Sequence, residues 1–169
     1  MAGHLAYELV GGVGVPLASR VGVTAATTGY AVASVVAYRA AGHLSASAGD
    51  RRFAVTNGLF ASAVIAHLTS WPRITRAGLP WLTECEGLEG RLVGPYNALL
   101  YLSAVAAVGG AIENRREWRW FVMTPVVVVP VLRWETPAEY ERLLSQAAEE
   151  PHWWNRRLTA PARRRVAHV

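Results

Sequence analysis

The sharpest chemical signal in this chain is a glutamate in apolar surroundings. Glu8 lies in GHLAYELVGGVGVPLAS, four residues after His4, so on a helix the two side chains share a face and a proton could pass between them. A carboxyl group in a low dielectric holds its proton more tightly and can serve as a general acid near neutral pH. The plainer alternative is a segment that begins at a membrane interface, with both groups in water. Polar groups inside apolar segments are costly, and for that reason they are the first candidates for function.

Four more residues belong to the same class. His67, near the end of a later apolar run, suits a proton relay or a haem ligand, against the commoner use of such a residue as a helix-terminal hydrogen-bonding group. Asn57, Asn97 and Tyr101 could line a pocket with it, although polar side chains at these positions commonly bridge helices. Glu8 is therefore assigned as the acid, His4 and His67 as its relays, and Asn57, Asn97 and Tyr101 as substrate-binding groups. Glu84, Glu86 and Glu89 with Cys85 between them suggest a metal, but loop carboxylates two and three apart are usually solvated and no histidine is near in sequence. No metal and no cofactor is expected; a haem would have only His67 and His4 as axial ligands. Glu113 marks the border of an apolar run. There is no GK[ST] phosphate loop, no HExxH and no GxSxG.

The elements that must position these groups read as membrane helices. Leu92–Ile112 is uncharged, bounded by Arg91 and Glu113, and at about 1.5 Å per residue it covers the roughly 30 Å of a bilayer core. Residues 21–38, 53–72 and 120–134 are further spans, the last interrupted by two prolines. Residues 5–19 are short, and fit a short span, a re-entrant segment or an interfacial helix. Small residues recur every four positions at Ala25, Gly29, Ala33 and Ala37, and again at Gly58, Ser62 and Ala66, which predicts faces buried against other helices or a second copy of the chain. Residues 73–91 read as a loop. Thr136-Pro137-Ala138-Glu139 is a capping box that should start a separate amphipathic helix. Trp153, Trp154 and the arginines after them form an aromatic and basic tail suited to anionic lipid.

The fold expected is thus an all-α membrane protein, a bundle of four to five transmembrane helices over residues 1–135, with a cytosolic amphipathic helix and basic tail over 136–169. The 52% hydrophobic composition agrees, and the single cysteine excludes an intrachain disulfide. The net charge of +5 comes from arginines beside apolar runs and in the tail, a placement that favours membrane lipids over nucleic acid as partner. Eleven arginines fall on the tail side of the spans and six on the other, so the rule that positive charge stays inside puts the C-terminus of this multi-pass cell-membrane protein in the cytoplasm. The function expected is acid–base chemistry on a lipophilic, isoprenoid or lipid-like substrate, such as isomerisation or cyclisation. The alternative is a non-enzymatic transporter, channel subunit or assembly partner.

Overall fold

The computed structural model describes residues 2–43 and 50–158. The chain is mostly helical: α1 (Ala2–Gly11), α2 (Ala18–Val21), α3 (Val23–His43), α4 (Asp50–Ser70), α5 (Val93–Glu113) and α6 (Trp118–Glu149). Between α4 and α5 lie four short strands, β1 (Arg73–Arg76), β2 (Leu79–Leu82), β3 (Glu84–Cys85) and β4 (Leu88–Glu89).

Two helices, over Arg51–Ser70 and Gly90–Glu113, are long and apolar enough to cross a bilayer. In each, 28% of the most apolar stretch is buried, so most of that apolar surface faces outward. Four to five crossings are not supported. The segment expected over 5–19 is a helix of ten residues, about 15 Å long, followed by a turn. In α3 threonine, serine and glycine dilute the apolar residues, and in α6 Arg119, Arg133 and Glu135 do so.

The packing of α4 follows its small residues. A Cβ on Gly58 would stand 2.7 Å from Thr124 Cβ and 2.9 Å from the Phe121 carbonyl oxygen, and Ser62 and Ala66 are buried along the same line. Glycine lets α6 come this close. The two helices run parallel, with the Arg51 guanidinium 3.8 Å over the Trp120 ring at one end and Trp71 edge-on to Tyr140 at 5.0 Å toward the other. α5 runs antiparallel to α4, with Gly110 against the Asn57 side chain. The expected burial of the α3 face does not occur among the described residues: Ala25, Gly29, Ala33 and Ala37 are exposed, and none of the described residues lies within 4 Å of a Cβ on Gly29. Spacing defined a face there without supplying a partner.

The separate helix expected from Thr136 is instead the continuation of α6, which runs for 32 residues with Pro125, Pro130 and Pro137 inside it. Each proline removes one N–H, and the packing along α4 carries the helix through. Glu139 does not cap Thr136, because its Oε2 accepts from Ser19 Oγ at 2.6 Å and from Arg142 Nη2 at 2.8 Å. Glu135 accepts from both Arg20 and Arg142, so this cluster ties α2 to α6.

Where a loop was expected over residues 73–91, residues 73–89 form two hairpins. Each turns on two residues with left-handed backbone, Ala77–Gly78 (φ 50° and 80°) and Glu86–Gly87 (φ 51° and 89°). That pair of conformations matches the twist of the strands it joins. The registers are Arg73↔Leu82 through Arg76↔Leu79 and Glu84↔Glu89 with Cys85↔Leu88.

The core sits at the hairpin end of the bundle, where Leu82, Cys85 and Leu88 meet Tyr96 and Leu100 of α5 and Tyr140, Leu143 and Leu144 of α6. The chain after α6 closes it. Trp154 and Leu158 are buried, so Trp154 is a core residue and not the lipid anchor expected; Trp153 stays exposed. The Gly14 N–H donates to the Trp154 carbonyl at 2.8 Å and the Arg157 N–H to that of Gly12 at 2.9 Å. Gly12 is needed here: its φ is +80°, and a Cβ would lie 2.7 Å from Arg156 Cγ. Arg163 to Arg165, part of the expected basic tail, lie outside the described residues.

Candidate functional site

Glu8 sits on the inner face of α1, 1% exposed. α1 ends just beyond it because Gly12 turns left-handed and donates its N–H back to the Glu8 carbonyl at 3.0 Å, a glycine-terminated helix end. The helix is fixed to α5 by the Tyr7 hydroxyl, which donates to the Leu92 carbonyl at 2.9 Å. His4, one turn earlier, is buried beside Glu8 with its Nε2 2.9 Å from Glu8 Oε1.

Two neighbouring helices complete the cluster. The Tyr96 hydroxyl donates to Glu8 Oε1 at 2.7 Å and lies 3.2 Å from His4 Nε2. His67, from α4, places Nε2 3.9 Å from Glu8 Oε1 and the same distance from Glu86 Oε1. The other ring nitrogen, Nδ1, is 2.6 Å from the Ala63 carbonyl, an oxygen that can only accept. The proton therefore sits on Nδ1, and the lone pair of Nε2 points into the cluster. The His4 and His67 rings meet edge to face with centroids 5.0 Å apart, so no haem plane fits between them.

The second hairpin brings the remaining groups. Cys85 is wholly buried, and burial pushes its thiol well above the ordinary range, with the Glu86 charge adding to the effect. Burial also pushes the Glu86 carboxyl well up, reinforced by the neighbouring charge of Glu8. Glu86 thus stands at the cluster and is not the solvated loop carboxylate its sequence neighbourhood implied. Glu8 Oε2 is buried and has no hydrogen-bond partner among the described residues. A buried acceptor left unmade costs about 1–3 kcal/mol, more for a charged group.

The structure therefore brings together Glu8, His4 and His67, the three residues assigned to proton chemistry from the sequence. It adds Tyr96, Cys85 and Glu86. Asn97 and Tyr101 stand elsewhere in role: Asn97 Oδ1 accepts from the Leu82 N–H at 2.9 Å, its Nδ2 donates to the Leu82 and Val93 carbonyls, and the Tyr101 hydroxyl donates to the Pro80 carbonyl. Both fasten the first hairpin to α5. Asn57 lines a cleft of about 380 Å³ between α3 and α4, with Tyr38, Phe53 and Phe60. A second cavity of about 180 Å³ lies between α1 and α3, lined by Leu5, Leu9, Val15 and Tyr30. Ala2, at the start of α1, borders both.

Sequence reading missed Tyr96 for want of any local partner, although a phenol in the first turn of the most apolar helix was a visible signal. Glu86 and Cys85 drew notice only as members of an acidic loop; their proximity to His67 left no mark in the sequence, since only the fold creates it. No protein-family model, no curated protein and no solved structure matches this chain.

Proposed function

We propose that this chain is an integral membrane enzyme that carries out acid–base chemistry on a lipophilic substrate, with Glu8 as the proton-carrying group. The observation that carries the reading is the placement of Glu8: 1% exposed, hydrogen-bonded by Tyr96, and within reach of two histidines that can relay a proton. A carboxyl group kept dry beside such relays suits protonation of an alkene or rearrangement of an isoprenoid or lipid-like compound.

The two apolar cavities beside α1 supply room for a hydrocarbon chain, and both are lined by α3, in which Ala26 is the one buried hydrophobic side chain among the described residues. A substrate dissolved in the bilayer enters there, between α3 and its neighbours. Outward-facing Val105, Val108 and Ile112 on α5 and Val126, Val127 and Val131 on α6 give the bundle a surface suited to lipid. The arginine distribution orients the hairpin end and the C-terminus toward the cytoplasm.

The test is mass spectrometry of small molecules retained by protein purified in mild detergent, beside Glu8→Gln. The reading expects a defined lipophile on the wild type that accumulates unconverted on the variant. Bulk membrane lipids alone, equal in both samples, would sink it. The exposed small-residue face of α3 favours one other reading, a non-enzymatic assembly partner or homo-oligomer, and that outcome would move weight to it.

A further inference from the structure

We propose that the cluster under the hairpins is a binding site for a divalent transition ion of the zinc type, held by His4 Nε2, Glu8 and His67 Nε2, with its open position toward Cys85 and Glu86.

The donor set and its spacing carry the proposal. His4, Glu8 and His67 each place a ligand atom within 4.8 Å of the other two, and His67, Cys85 and Glu86 do the same. Metal–ligand bonds of about 2.0–2.1 Å at tetrahedral angles put neighbouring ligand atoms about 3.3 Å apart. The pairs here stand at 2.9 Å (His4 to Glu8) and 3.9 Å (His67 to Glu8), on either side of that figure. The third pair, His4 to His67, lies within 4.8 Å, and rotation of the two imidazoles would bring all three ligand atoms onto a common ion. Two imidazoles and a carboxylate with an open fourth position form a ligand set that zinc enzymes use, and a nearby thiol favours zinc over calcium or magnesium.

Two further observations point to a ligand. Glu8 Oε2 is buried with no hydrogen-bond partner among the described residues, in a side chain that is 1% exposed. The Glu86 carboxyl stands close enough to hydrogen-bond Glu8, and a cation in the cluster would take up that contact between the two carboxyl groups. The outer contacts are also those of a prepared site. His67 Nδ1 is committed to the Ala63 carbonyl, which aims Nε2 inward, and the Tyr96 hydroxyl holds the Glu8 carboxylate in place. Glu86 reaches the cluster from a turn position with φ +51°, a conformation side chains other than Gly, Asn and Asp seldom adopt.

A bound ion would take Glu8 as a ligand, and a water in the open position would then supply the acid–base role. The site is the one described above, but its occupancy does not depend on a lipophilic substrate: bound metal and retained lipophile are read separately, and either reading can fail alone.

The experiment is elemental analysis of the full chain purified in mild detergent without chelator, followed by EDTA stripping and titration with Co²⁺ as a visible probe and Zn²⁺ as competitor. The expected result is about one ion per chain, a cobalt spectrum of a four- or five-coordinate ion that Zn²⁺ abolishes, and affinity lowered at least about a hundredfold by Glu8→Gln or His67→Gln. Tyr96→Phe should weaken binding roughly 10–100-fold through the outer contact, and Glu89→Gln should leave it unchanged. A folded wild-type protein with less than about a tenth of an ion per chain, and no cobalt spectrum in excess metal, overturns the proposal even where the variants fail to fold. So does wild-type affinity in folded Glu8→Gln.

Discussion

Gly58 and Gly29 sit in the same sequence pattern, small residues four apart, and the structure gives them opposite fates. Changing Gly58 to alanine places a methyl group 2.7 Å from Thr124 Cβ and 2.9 Å from the Phe121 carbonyl oxygen, the second a backbone atom with no rotamer to escape into. Restoring an ordinary contact of about 3.5–4.0 Å needs α4 and α6 to part by roughly 1 Å. Overpacking of this kind costs typically 1–3 kcal/mol, against about 0.5–1 kcal/mol gained by replacing glycine in a helix. The net expectation for Gly58→Ala is a loss of roughly 1–2 kcal/mol, a fall in melting temperature of roughly 2–8 °C for a chain of this size. At Gly29 none of the described residues lies within 4 Å, so only the helix gain remains and Gly29→Ala should melt about 1–4 °C higher. The assay is thermal unfolding in a mild detergent followed by circular dichroism, with both variants beside the wild type. A Gly58→Ala protein that melts at or above the wild type, or a Gly29→Ala protein that falls as far as Gly58→Ala, would refute the parallel α4–α6 contact and the unpartnered state of α3.

Asn97→Ala removes the partner of both the buried Leu82 N–H and the Leu82 carbonyl, at about 1–3 kcal/mol for each group left unmade; faster hydrogen exchange across β2 is the readout, and unchanged exchange contradicts the assignment. Truncation after Glu150 strips Trp154 and Leu158 from the core and should lower the melting temperature by more than 10 °C, whereas a pure lipid anchor could be lost with little change. A hydrogen bond from Arg142, with the charge of Arg20, holds the Glu135 carboxyl below its ordinary value of 4.5. A depressed acid contributes stability that is present above its unfolded value and lost as pH falls through the folded one. Below about pH 4.5 the wild type should therefore lose melting temperature more steeply than Glu135→Gln, and identical slopes would show the α2–α6 cluster to be idle.

Local spacing was enough to place His4 beside Glu8, because one helical turn fixes both, and enough to predict the close approach of α4 at Gly58. The same rule misled at α3, where the face is present but none of the described residues covers it. Helix ends were harder to read. The capping box at Thr136 is intact in sequence, yet the contacts of α6 with α4 and the capture of Glu139 by Ser19 and Arg142 override it. The first stretch was legible as too short for an ordinary span, and the reason lies in Gly12 and Gly14, where the backbone turns left-handed and admits the returning Trp153–Arg157 segment. Ala77-Gly78 and Glu86-Gly87 were likewise hairpin turns hidden between strands of two to four residues, too short and too charged to show a period. The site was half legible for this reason. Glu86 and Cys85 enter it only through a turn whose partner, His67, lies far back in the chain.

The central claim is that Glu8 lies in a dry cluster with Tyr96 and His4. Infrared difference spectroscopy of the protein in bilayers, with Glu8→Gln subtracted to isolate the Glu8 carboxyl band, measures that directly. The band should be that of a buried carboxyl group hydrogen-bonded by a phenol. It should move in Tyr96→Phe and in His4→Gln and stay in place in Tyr101→Phe. A band typical of a solvated carboxylate, indifferent to Tyr96 and His4, would contradict the account.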